Sequence, residues 1–134
     1  MRYLTKSRFR LGIDCPSKLY YTKKEKLYAN TKNLDTFMKA LASGGFQVEE
    51  LARLHYPGGT LIEDDRSSKN YYLNALDSTI RALNKNDDAV IYEAAFSYEK
   101  LFIRTDILVK KGNDVQLIEV KSRSFDPNNL GFFN

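Results

Sequence analysis

The chain has no tryptophan, one cysteine (Cys15) and one histidine (His55) among its 134 residues. One thiol cannot close an internal disulfide. Nor can it build a cysteine-based zinc or iron–sulfur site from this chain alone. A lone thiol fits a reducing cytosol, so a cytoplasmic location is expected. No apolar run approaches the ~20 residues that span a bilayer, so no membrane association is expected. The basic N-terminus, "MRYLTKSRFR", lacks a following apolar stretch and does not read as a secretory signal.

Tyrosine and phenylalanine, by contrast, are plentiful, and 43% hydrophobic with 28% charged residues fits one soluble globular domain over residues 1–134. The net charge of +4 is unevenly placed. Residues 1–26 carry eight Lys/Arg against Asp14 and Glu25, a net of +6, leaving the remainder at −2. Within the basic segment 1–28, Tyr3, Phe9, Tyr20 and Tyr21 are interleaved with the charges. Such a segment can follow a phosphate backbone and stack on bases. The alternative is a solvated basic arm with its aromatics packed on the core.

Residues 1–10 read as an extended lead-in. "DCPSKLYYTKKEKLY" (14–28) reads as a short helix with Asp14 as N-cap and Pro16 in its first turn. "YANTKN" (28–33) is a polar break. From Leu34 the apolar positions fall at helical spacing and predict a helix over about 34–55, capped by Asn33 or Asp35 and ended by "YPGG". Gly44 and Gly45 in its middle predict either a break or a close approach to that backbone. Loop 60–68 includes a short strand at Thr60–Ile62. A second helix is expected at 69–84, with Ser67 or Ser68 as cap and Tyr72, Leu76, Thr79, Ile80 and Leu83 as its buried stripe. Strands follow at 89–98, 101–110 and 114–122, joined by turns at Glu99-Lys100 and Gly112-Asn113, and 124–134 reads as loop. The order predicts an α+β fold: a three-stranded, mostly antiparallel sheet preceded by two helices on one face.

The third strand, "VQLIEVKS", is apolar enough to predict little exposure on either face, yet it holds Glu119 and Lys121 two apart. With Gly112-Asn113 as a two-residue turn, Lys111 opposes Asp114 and, counting back, Asp106 opposes Glu119. Like charges directly opposite are destabilising. Either one pKa rises so that the pair shares a proton, or a cation lies between them. Lys121 on the same face leaves one negative charge in surplus, and a divalent ion resolves it. Mg²⁺ takes carboxylate and carbonyl oxygens, so the Val120 carbonyl is a further candidate ligand. Glu93 on the neighbouring strand and Glu49 on the first helix offer more carboxylates to this region. A structural ion-pair network at a sheet end is the competing explanation. His55 reads as structural or exposed.

Asp106 followed by Glu119-Val120-Lys121 on the next strand resembles the signature of the PD-(D/E)XK nucleases. "CPSKLYY", "GFQVEELARLHYPGG", "IYEAAF", "IRTDILV" and "LIEVKS" are similar to the RecB-like branch, which includes the CRISPR-associated exonucleases, over about residues 7–124. The resemblance implies a restriction-endonuclease-like core and hydrolysis of DNA phosphodiesters with Mg²⁺ or Mn²⁺. It implies Asp106 and Glu119 as metal ligands and Lys121 as the catalytic lysine. Glu49 stands four residues after Gly45, where the family often has His, and is carried over as a third ligand; Glu93 matches a frequent acidic position. Arg8, Arg10, Lys18, Arg104 and Ser122 are the expected nucleic-acid contacts. Cys15 matches the first cysteine of the family's iron–sulfur members, but the others are absent, so no cluster is expected from this chain alone. The family continues past the lysine strand with a helix and another strand, which implies truncation at Asn134. A catalytically inactive DNA-binding or interaction module remains the rival, RNA shares the site as a substrate, and exposed strands leave a homo-oligomer open.

Overall fold

The computed structural model describes residues 3–22, 24, 26–27, 36–63 and 65–121, with the side chains of 36–43 outside that description. The elements are β1 (Leu4–Thr5), α1 (Lys6–Asp14), α2 (Pro16–Tyr21), α3 (Thr36–Leu54), β2 (Thr60–Leu61), α4 (Tyr71–Lys85), β3 (Asp88–Tyr98), β4 (Leu101–Lys111) and β5 (Asp114–Ile118). Together they make an α+β fold with a mixed, open, five-stranded sheet. No described helix is long and apolar enough to cross a membrane.

The expected lead-in is instead a two-residue strand and a helix. Thr5 caps α1, its Oγ1 accepting from the Arg8 N–H at 3.4 Å. Pro16 then forces the break before α2. A residue preceding proline is pushed out of the helical region, and Cys15 sits extended at φ −166°. Cys15, not Asp14, is therefore the N-cap of α2, and Asp14 ends α1. Residues 28–35 and the C-terminal loop 124–134 lie outside the described residues, along with the Asn33 and Asp35 caps.

Helix α3 runs unbroken through Gly44 and Gly45, and nothing lies within 4 Å of a Cβ built on either. Neither expected consequence of the pair is seen. The α3 C-terminus is fixed by Tyr92, whose hydroxyl donates to the Tyr56 carbonyl and accepts from the Gly59 N–H at 3.2 Å. A Cβ at Gly59 would collide with the Tyr92 ring, so glycine is required for the close approach.

Helix α4 begins at Tyr71, two residues later than expected. Ser68 does not cap it directly. Its Oγ accepts from Asn70 N and Asn74 Nδ2, each at 3.2 Å. Tyr72, Leu76 and Leu83 face the core and Thr79 is buried, as the stripe predicts, but Ile80 is 56% exposed. Beneath α4 the core gathers Ile62, Ala75, Ile91, Ala94, Ala95, Phe102 and Leu108. Tyr3 joins them, its ring tilted against those of Tyr72 and Phe102 at centroid distances of 4.9 and 5.7 Å, while Phe9 and Tyr20 of the same basic segment stay exposed.

In the sheet, β3 and β4 pair antiparallel from end to end except at Glu93 and Asp106, and β5 returns beside β4 with Lys111 opposite Asp114. The tight turn between β4 and β5 is at Gly112-Asn113, with Gly112 at φ +56°. Two parallel pairings enlarge the expected three strands to five: β2 beside β3, and β1 beside β4. Since β3 occupies one edge of β4 throughout, β1 and β5 lie end to end along the other. β5 stops at Ile118 rather than 122, and Val115 and Leu117 are 57% and 59% exposed, so this strand is not covered on both faces.

Candidate metal centre

The like-charge pair predicted from the β4–β5 hairpin is met one strand over. The β3–β4 register joins Tyr92 to Ile107 and Ala94 to Thr105, which places Glu93 opposite Asp106. That pair alone drops out of the ladder, and Glu93 adopts φ +60°. A positive φ is uncommon for a residue with a side chain and persists only where surrounding structure imposes it. Helix α3 adds Glu49. Carboxylate oxygens of Glu49, Glu93 and Asp106 all lie within 4.8 Å of one another.

Three carboxylates in so small a volume need cations. Arg53, one helical turn after Glu49, brings Nη2 to 3.9 Å from Glu49 and 3.8 Å from Glu93. These are loose contacts, and the buried Arg53 Nε has no hydrogen-bond partner. Arg104 is held more firmly. Its Nε lies 3.2 Å from the Glu93 carboxylate and donates to the Glu93 carbonyl at 3.2 Å, and its Nη groups donate to Tyr71 Oη and the Ile62 carbonyl. With all groups ionised, three carboxylates and two guanidiniums leave a net −1. Burial pushes the Glu93 carboxyl above its ordinary range. Arg104 opposes the rise, Glu49 and Asp106 add to it, and Arg53 opposes it.

Glu119 and Lys121 stand beside this group. The Val120 N–H donates to Asp106 Oδ2 at 2.5 Å, a side-chain substitute for the next ladder bond, and this bond coincides with the end of β5. Glu119 is not among the three grouped carboxylates. Its Oε1 accepts from both Lys121 Nζ and Lys6 Nζ, and these bonds hold its carboxyl below the ordinary glutamate range.

The structure thus brings Asp106 together with Glu49 and Glu93, and sets Val120 against Asp106 through its N–H. Of the expected nucleic-acid contacts, Arg10 and Lys18 are exposed on α1 and α2. Arg8 turns inward, donating from Nη1 to the Tyr3 carbonyl at 3.3 Å. Arg104 is engaged within the fold rather than presented to a partner, because the Glu93 carboxylate needs its charge. Ser122 lies outside the described residues. His55 is exposed. Sequence reasoning missed Arg53, Lys6 and the face-to-face placement of Glu93. That placement was legible: counting back from a two-residue turn at Glu99-Lys100 puts Glu93 opposite Asp106. An open groove between β2 and α4, bordered by Glu63, Asp65, Arg81 and Lys85, includes none of the three carboxylates.

No family model matches the sequence, and no curated protein or solved structure matches it.

Proposed function

We propose that the chain is the core of a metal-dependent deoxyribonuclease of the PD-(D/E)XK kind, with a restriction-endonuclease-like arrangement of its sheet. The observation that carries this reading is the convergence of Glu49, Glu93 and Asp106, at a strained point of β3, with a surplus of negative charge. The donor set fits Mg²⁺ or Mn²⁺: all three side chains offer hard oxygens, and the net −1 favours a cation. A bound divalent ion acidifies water and offsets negative charge developing on a phosphate oxygen.

The chain's own residues divide the remaining work. Glu49, Glu93 and Asp106 would hold the ion. The Asp106–Val120 hydrogen bond fixes the backbone from which the Lys121 ammonium extends, one residue beyond the contact with the carboxylate group. There it orients the phosphodiester and offsets charge on it. Glu119 keeps that ammonium in place.

One feature favours a second reading, a module that binds DNA without cleaving it. Arg53 and Arg104 already neutralise two of the three carboxylates, as a structural ion-pair network would. Cleavage of single-stranded DNA, duplex DNA and RNA in Mg²⁺ and in Mn²⁺ decides between the two. The nuclease reading expects DNA cleavage that Lys121→Ala and Asp106→Asn each abolish. Binding without metal-dependent cleavage, or cleavage indifferent to both substitutions, overturns it.

A further inference from the structure

Strands β1 and β5 approach each other head-on. β1 runs parallel to β4 and ends with Thr5 opposite Phe102; β5 runs antiparallel to β4 and ends with Ile118 opposite Ile107. Both use the same edge of β4, so four residues of β4 (103–106) lie between their ends, five residue steps or about 17 Å. The residue after β1 is Lys6, and the residue after β5 is Glu119. Each enters the gap from its own side, and long side chains close it. This topology is why residues 113 positions apart in sequence meet.

Two ammonium groups, Lys6 and Lys121, converge there on one oxygen of Glu119. One carboxylate answers one of them and leaves a positive charge over. Both lysine side chains are 67% exposed, so an outside anion can reach them. Helix α1 adds to the surplus. It opens on Lys6 and Arg8 with no acid in its first turn, the reverse of what the helix dipole favours. Arg10, four residues after Lys6 and exposed, continues the same positive face about 6 Å along the helix axis.

We propose that Lys6 and Lys121 form a seat for a DNA phosphodiester, in which the Glu119 carboxylate stands until the phosphate displaces it. Exposed ion pairs contribute little stability, so exchanging carboxylate for phosphate costs little. Displacement also frees Glu119 beside Asp106. The inference rests on the proposed action on DNA, but it assigns a residue, Lys6, that the carboxylate group does not involve.

The test measures binding of a short fluorescent DNA, single-stranded and duplex, in EDTA across a salt series, so that no metal or cleavage enters. Lys6→Ala is expected to weaken binding several-fold and to reduce the slope of log K against log salt by about 0.9 for duplex or about 0.7 for single-stranded DNA. Lys6→Arg is expected to restore both. Glu119→Gln removes the competing charge and is expected to tighten binding. An unchanged slope in Lys6→Ala, or weaker binding in Glu119→Gln, overturns the seat, and melting curves of each variant report folding. If these variants behave as expected while the protein takes up no Mn²⁺ and cuts no DNA, the seat stands and the nuclease reading falls. If cleavage depends on Lys121 but binding is indifferent to Lys6 and Glu119, the reverse holds.

Discussion

Replacing Glu93 by glutamine removes a charge from the centre of the carboxylate group while keeping an acceptor for Arg104. At an effective dielectric of about 20, each of the two neighbouring carboxylates, within 4.8 Å, repels Glu93 by at least about 3 kcal/mol. Arg104 at 3.2 Å and Arg53 at 3.8 Å attract it by about 5 and about 4 kcal/mol. All these groups are partly exposed, and solvent screening shrinks the terms together. The attractions exceed these minimum repulsions, but burial is the largest contribution, and the ionised form is disfavoured in the folded state. A carboxyl whose pKa is raised by folding takes up a proton on folding. Its contribution is therefore fully present below the ordinary value of 4.5 and is lost as pH rises through the raised value. Glu93→Gln is then expected to match the wild type in acid and to exceed it in stability at neutral pH in EDTA. For a domain of this size each kcal/mol gained raises the melting temperature by roughly 3–5 °C. Saturating Mn²⁺ at a hundred times its Kd would add about 2.7 kcal/mol to the wild type, more than to the variant, and reverse the order. Thermal melts across pH, with and without Mn²⁺, read all three effects. A variant less stable than wild type at neutral pH in EDTA refutes the reasoning, because Glu93 would then be a structural partner of its arginines.

Three further substitutions probe the frame that holds this group. Thr79 is buried under α4, donating to the Ala75 carbonyl at 2.8 Å and accepting from the Ala95 N–H at 2.9 Å. Thr79→Val strands that N–H two residues from Glu93 and is expected to cost about 1–3 kcal/mol by chemical denaturation; an unchanged midpoint would remove the anchor from the account. Gly59→Ala and Gly44→Ala should diverge in a thermal melt. The first collides with the Tyr92 ring and lowers the melting temperature, whereas the second meets open space in a helix and raises stability by up to about 1 kcal/mol. The same sign for both would contradict the packing described here.

Much of the frame was legible because its signals are local. Gly112-Asn113 sets a hairpin register on its own, and the stripe Tyr72, Leu76, Thr79, Leu83 defines a helix against a core. Other parts carried no local signal. Leu4-Thr5 is too short to show alternation, and its partner lies nearly a hundred residues away on β4, so only tertiary pairing reveals it as a strand. Helix α1 hides behind exposed apolar residues at Phe9 and Ile13, which give no stripe toward a core. The site divides the same way. Asp106 and the carboxylate opposite it follow from counting residues around turns. Glu49 reaches them because Tyr92 ties the end of α3 to β3. Lys6 reaches Glu119 because β1 and β5 share one edge of β4, a fact of topology rather than of spacing.

The central claim is that Glu49, Glu93 and Asp106 form a cation site. Anomalous diffraction from crystals soaked in Mn²⁺ tests it most directly. One strong peak is expected within ligand distance of carboxylate oxygens of all three residues, and none in Asp106→Asn. A wild-type map without a peak there, with Arg53 and Arg104 still seated on the carboxylates, would contradict it.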